Sequence, residues 1–244
     1  MKKSFLTVSV LAMLLLAACG SGDEKSTSTS TDTAKAKTDT AKAVVAETPK
    51  APEFKPFDVV EITHTVKDYA TWKKGFDLDS VNRKASGLEF IVIGKAEGKP
   101  NNLMVVLNAS DLKKAKDFSS SPKLKEVMTK YGVISKPTVS YFHTIRFNPD
   151  SKEKQWVVVT HKVKDFDAWV KVFDAEGTAA RATQGLVDVA LARGVDDPNT
   201  VQIVFDISDM TKAKAELTSA AKKKLMMDAG VIGVPTFSFY TTAE

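Results

Sequence analysis

The sequence predicts an α+β fold made of two tandem βαββαβ units, and three observations predict it. The stretch from His64 to Asp77 (HTVKDYATWKKGFD) returns from His161 to Asp174 (HKVKDFDAWVKVFD), an offset of about 97 residues. Within each copy, runs rich in β-branched residues alternate with segments whose apolar residues recur at helical spacing. Each copy also carries two short apolar runs parted by a Gly- or Pro-bearing turn, the mark of a hairpin.

The first strand is expected over Val59 to Val66, and over Val157 to Val163 in the second copy. Asp68 and Asp165 follow where an N-cap belongs, because a carboxylate there accepts from backbone N–H groups that lack a helical partner. In the helix they open, Trp72 and Phe76, or Trp169 and Phe173, lie four apart and share one face. After a one-residue shift the register holds: Arg83 answers to Arg181, Gly87-Leu88 to Gly185-Leu186 and Pro100-Asn101 to Pro198-Asn199.

The hairpins run over Leu88 to Ile93 with Leu103 to Leu107, and over Leu186 to Ala192 with Val201 to Ile207. Ser110-Asp111 and Ser208-Asp209 then cap a second helix, which ends at Gly132 or Gly230 before Pro137 or Pro235 leads into a last strand. This order is the split-βαβ, ferredoxin-like unit. The repeats occupy residues 57–148 and 155–242.

Two segments in each copy resemble the dimeric α+β barrel superfamily, which includes antibiotic-biosynthesis-type and heme-degrading monooxygenases. They are Val66-Lys67-Asp68-Tyr69 running to Trp72 (Val163 to Trp169), and Gly132-Val133-Ile134 running to Pro137 (Gly230 to Pro235). The resemblance covers Phe57 to Tyr240. It implies that two such units pair their sheets around a common interior, ordinarily from separate chains. Both units lie here in one chain and the connection from Arg146 to Lys154 is short, so the expectation is an intramolecular barrel, a monomer with a pseudo-twofold axis.

The N-terminus reads differently. Lys2 and Lys3, the apolar run Phe5 to Leu16 and the small pair Ala17-Ala18 have the order of a secretory signal, expected over residues 1–18. The run is shorter than the roughly 20 apolar residues of a membrane-spanning helix. Leu16-Ala17-Ala18-Cys19 resembles the lipobox of bacterial lipoproteins, which implies a diacylglyceryl group on Cys19, palmitate-type acylation and anchoring to the cell envelope. Gly20 stands where an aspartate would favour retention at an inner membrane, which tilts the expectation toward an outer membrane. Residues 19–56 are rich in Ser, Thr, Lys, Ala and Asp and cannot bury a core, so they read as a tether.

Composition excludes several chemistries. Cys19 is the only cysteine; once acylated it leaves no thiol for a disulfide, a nucleophile or a thiolate metal site. The net charge of +5 is spread over helical lysines without interleaved aromatics, which argues against nucleic acid. There is no Gly-x-Ser-x-Gly elbow and no phosphate-binding glycine loop.

The remaining site candidates are few. His64 and His161 fall at equivalent positions, on the face of Val60, Ile62 and Val66 or of Val157, Val159 and Val163. They could meet near the pseudo-twofold axis and bind heme or a metal, act as a general base toward the barrel interior, or be buried groups bonded to backbone or to the capping aspartates. Two histidines without a clustered carboxylate make a poor metal site, and no metal is expected. His143 has no counterpart and reads as a solvent-facing strand residue. Trp72 and Trp169 could stack a planar ligand, although their spacing fits core packing. Arg83 and Arg181 suit a helix C-terminus or an anion. The reading that follows is an envelope lipoprotein whose barrel binds a small, partly apolar molecule or a partner protein, with a cofactor-independent or heme-linked monooxygenase as the alternative.

Overall fold

The computed structural model describes residues 54–244; the signal segment, Cys19 and all but the last residues of the tether lie outside the described residues. Eight strands close into one antiparallel barrel in the order β1-β3-β2-β8-β5-β7-β6-β4. The strands are β1 (Phe57–Thr65), β2 (Leu88–Ala96), β3 (Lys99–Ala109), β4 (Thr138–Phe147), β5 (Gln155–Val163), β6 (Leu186–Gly194), β7 (Thr200–Ile207) and β8 (Val231–Thr242). Each repeat contributes four neighbouring strands, β4-β1-β3-β2 and β8-β5-β7-β6. The seams between repeats are unequal: β4 meets β6 from Phe142↔Gly194 to Phe147↔Ala190, while β2 meets β8 only at Gly94↔Thr242, Lys95↔Thr241 and Ala96↔Tyr240. The tandem ferredoxin-like architecture expected from the repeat is the one observed, and closure removes every open sheet edge.

Strand alternation splits the side chains into two layers. Outward-facing residues of the first repeat, Val60, Ile93, Leu103, Val105 and Leu107, pack with Trp72 and Ala115 from the helices. Val157, Val159, Leu191, Val201, Ile203 and Phe205 do the same beneath Trp169, Ala213 and Leu217 in the second. Inward-facing residues line the barrel, with Met104, Trp156, Val158 and Tyr240 at one end and Val59, Phe142 and Ala192 at the other, around a space of about 220 Å³. Burying one such aliphatic side chain contributes roughly 1.5–3 kcal/mol, and these clusters supply the stability that disulfides cannot.

Each helix expected from the sequence is broken into two. The first repeat has α1 (Tyr69–Leu78), α2 (Ser80–Ala85), α3 (Leu112–Ser119) and α4 (Pro122–Lys130); the second has α5 (Phe166–Glu176), α6 (Thr178–Thr183), α7 (Met210–Thr218) and α8 (Ala220–Asp228). The causes are local. Gly177, at φ 82°, parts α5 from α6. Ser121 and Ser219, extended in backbone, accept from the N–H of Leu124 and Lys222 and start a new helix, with Pro122 at the first position of α4, where its missing N–H costs nothing. Asp68, Asp165, Asp111 and Asp209 each accept from the N–H three residues on, as their positions predict.

Gly132 closes α4 as expected: at φ 84° its N–H reaches the Thr129 carbonyl, and the Val133 N–H reaches Met128. One expectation is corrected at the second copy, where the last strand begins at Val231, ahead of Pro235. The strand bulges there, since Thr160↔Thr236 is followed by Lys162↔Ile232, and the bulge takes up a proline that has no N–H for the ladder.

Candidate functional site

The two histidines do not meet. Both lie on the outer faces of their sheets, beneath the helices, and each lines a separate cavity of its own repeat. His64 packs against Trp72 with ring centroids 5.4 Å apart, and His161 against Trp169 at 5.3 Å. Nor are they bonded to backbone or to the capping aspartates: all four ring nitrogens are buried without a hydrogen-bond partner among the described residues. Burial pushes both pKa values down to about 4, so each imidazole is neutral near pH 7. Trp72 and Trp169 stack on Phe76 and Phe173, at 5.2 Å in both copies, and belong to the core. His143 is exposed on β4 and pairs with Asp58 at 2.7 Å.

The cavities differ by an order of magnitude. Between α1–α4 and the sheet, the first repeat holds a space of about 580 Å³, walled by Ile62, Trp72, Leu88, Leu107, Met128 and Val139 among others. Its counterpart in the second repeat measures about 50 Å³. The sequence differences that divide them can be named. Ser119 stands where the second copy has Leu217, which is buried and fills the space. Leu124 stands where the second copy has Lys222, a buried lysine ion-paired with Glu176 and Glu216 that ties α8 down. Among the described residues, α4 contributes no fully buried side chain, so it roofs the larger cavity without occupying it.

A size exchange accompanies this. Gly75 lies against the ring of Tyr131, where a Cβ would come within 2.1 Å of Cγ. The second copy has Val172 and Ala229 at these positions, bulk on the other helix.

The arginines occupy matching places but different electrostatic settings. Nη1 of Arg83 donates to the carbonyl of Phe76, in the last turn of α1, and that of Arg181 to Phe173 at 2.7 Å, so both cap a helix C-terminus. Each guanidinium also lies over the preceding phenylalanine ring, at 3.6 Å and 3.9 Å. Arg181 is neutralised by Asp188, which takes both Nε and Nη2, and by Glu176. Arg83 forms no ion pair among the described residues. Burial draws its pKa below the ordinary value, with Asp79 and Asp77 offsetting only part, whereas Asp188 and Glu176 lift that of Arg181 against its burial.

His64 does not fit the part of a heme ligand: it is the imidazole on the wall of the large cavity, and both of its nitrogens lie off the accessible surface. Among the described residues no three His, Cys, Asp or Glu side chains cluster as a metal site would require.

Sequence reasoning located the histidines, tryptophans and arginines but missed the cavity. The signal was present in the departures from the repeat, at Ser119 and Leu124, rather than in the residues the two copies share.

No protein-family model matches the chain, and no curated protein does. Solved structures match through the fold. An anthrone oxidase-like protein superposes with a TM-score of 0.51 at 12% identity, covering 77% of this chain and 92% of its own. A candidate monooxygenase from Lactobacillus acidophilus NCFM gives 0.50 at 14% identity, over 76% and 94%. One from Fusobacterium nucleatum gives 0.50 at 11%, over 77% and 93%. Matches of that extent span both repeats. The chain therefore shares the dimeric α+β barrel fold of these structures, with both ferredoxin-like units joined in one polypeptide.

Proposed function

We propose that the protein is an envelope lipoprotein, anchored through Cys19, whose first repeat holds a small, partly apolar molecule between its helices and its sheet. One observation carries the binding reading: after duplication, one copy retains a cavity of about 580 Å³ while the other is closed by Leu217 and Lys222. That volume lies within the roughly 300–1,000 Å³ of small-molecule sites, and its wall is mostly apolar with a few polar groups. The anchor would hold the site near the membrane, with residues 19–56 as a tether and the barrel acting as a monomer.

Native mass spectrometry of the protein purified from its host tests the binding reading. One equivalent of a bound molecule is expected, lost in Ser119→Leu; a bound molecule that survives Ser119→Leu would move the site elsewhere. The anchor is tested separately, since Cys19→Ala is expected to release the protein from the membrane fraction, and retention there would remove the lipid from the account.

A second reading, a cofactor-independent oxygenase acting in the same cavity, is favoured by the fold shared with the candidate monooxygenases and by the histidine on the cavity wall. The chemistry argues for binding ahead of it. An imidazole with a pKa of about 4 is a weak base near pH 7, and His161 is arranged identically beside a closed cavity, so the pair suits architecture better than proton transfer. Oxygen consumption on aromatic substrates that disappears in His64→Ala would reverse that order.

A further inference from the structure

We propose that the first-repeat cavity takes an apolar carboxylate, an aliphatic or aromatic acid whose head group is held by Arg83. The inference rests on the binding reading above and names the chemistry of its ligand.

The two repeats provide the comparison. Arg181 is 3% exposed and meets two carboxylates, Asp188 and Glu176. Arg83 is 7% exposed, yet the position matching Asp188 is Phe90. The match is structural as well as sequential, because Phe90 pairs with Leu107 and Asp188 with Phe205, and the same bulge follows each. A guanidinium taken out of water costs several kcal/mol unless a counter-charge is supplied. In the second repeat the protein supplies it. In the first, Asp79 and, less strongly, Asp77 favour the Arg83 charge, but Asp79 accepts from Asn82 at 2.6 Å and neither makes an ion pair with Arg83.

The geometry suits an incoming anion. Nη1 is fixed on the Phe76 carbonyl and the plane is held over the Phe76 ring, which orients the fork and leaves Nε and Nη2 without a partner among the described residues. A carboxylate can accept from that fork in a charge-assisted pair. Lys125 and Lys136 also line the cavity, so with Arg83 three cations stand against the one carboxylate of Asp79. The remaining wall is mostly apolar, with Ser119, Ser121, Thr129 and Ser135 among its polar residues, and accommodates a hydrocarbon body.

The test is calorimetric titration of the chain from Gly20 onward, which retains all described strands and helices, with decanoate and with its neutral analogue decanamide. Decanoate is expected to bind at least tenfold more tightly. Arg83→Gln is expected to abolish that preference. Because Arg83 also caps α1 and its loss could unfold the repeat, Phe90→Asp is the second variant: it restores at a 56% exposed position the carboxylate that neutralises Arg181, and it is expected to remove the preference while leaving decanamide binding unchanged. Equal affinities for the two ligands, or a preference untouched by Phe90→Asp, would overturn the carboxylate inference and leave the cavity reading standing. Failure of decanoate to bind would also overturn it, and the native mass spectrum would then decide the cavity reading on its own.

Discussion

Gln202 of the second repeat donates from Nε2 to the carboxylate of Glu61 in the first, at 2.8 Å, across the interior of the barrel. The strands that carry them, β7 and β1, are not neighbours, so the bond is a polar tie between the two halves. Its pseudo-symmetric counterpart is apolar, with Met104 and Val158 in the corresponding places. The duplication has therefore diverged inside the barrel as well as beneath the helices.

Burial raises the Glu61 pKa from 4.5 to about 7, opposed by the Gln202 bond. The folded state holds this proton more tightly than the unfolded state, so its stabilising effect is complete below pH 4.5 and is lost as pH rises through 7. The shift corresponds to about 3 kcal/mol. Glu61→Gln is expected to stabilise the protein by an amount of that order at pH 8 and by little at pH 4, as read from urea unfolding at both values. Equal effects at the two pH values would contradict the assignment.

His64 and His161 act in the opposite direction. Their folded pKa values of about 4 lie below the ordinary 6.5, so the contribution is present above pH 6.5 and lost as pH falls through 4. Each is worth about 3 kcal/mol across that window. Two histidines outweigh one glutamate, and the wild-type protein is expected to lose stability between pH 6.5 and 4. Replacing either histidine by phenylalanine should flatten that loss, measured by thermal melts across the range; an unchanged slope would place the acid-sensitive group elsewhere.

Gly75 and Tyr131 form a coupled pair. Gly75→Val is expected to destabilise by about 1–3 kcal/mol because the new side chain meets the Tyr131 ring. Tyr131→Ala in the same chain recreates the Val172 and Ala229 combination of the second repeat and should recover most of the loss. A double-mutant cycle reads the coupling, and simple additivity would show that the helices adjust independently.

The short seam between β2 and β8 depends on Gly94. A Cβ there would come within 2.5 Å of the Trp156 ring, which is stacked on Tyr240 at 4.7 Å. Gly94→Val is expected to open that seam and cost at least about 1–3 kcal/mol. Hydrogen exchange at Lys95 and Ala96 should then rise more than at the β4–β6 seam, and uniform protection would argue that the sheet absorbs the change.

The repeat made the fold legible, because capping aspartates, paired tryptophans and terminal glycines recurred in one register and each has a local physical role. The broken helices were less so. Ser121 and Ser219 each sit inside an apparently continuous helical pattern, and only Pro122 in one copy marked a break. The candidate site was half legible. Symmetry drew attention to His64 with His161 and Arg83 with Arg181, but the cavity arises where symmetry fails, and a missing Leu217 or Asp188 equivalent has no meaning until the walls around it are seen.

The three tryptophans each report on one cavity: Trp72 on the large cavity of the first repeat, Trp156 on the barrel interior and Trp169 on the small cavity of the second. Their indole N–H resonances, assigned by single Trp→Phe replacement and followed during titration with decanoate, locate the bound molecule. Binding in the first-repeat cavity requires that the Trp72 resonance shifts and saturates while those of Trp156 and Trp169 stay in place. Saturating movement of Trp156 or Trp169 with Trp72 unmoved would contradict it.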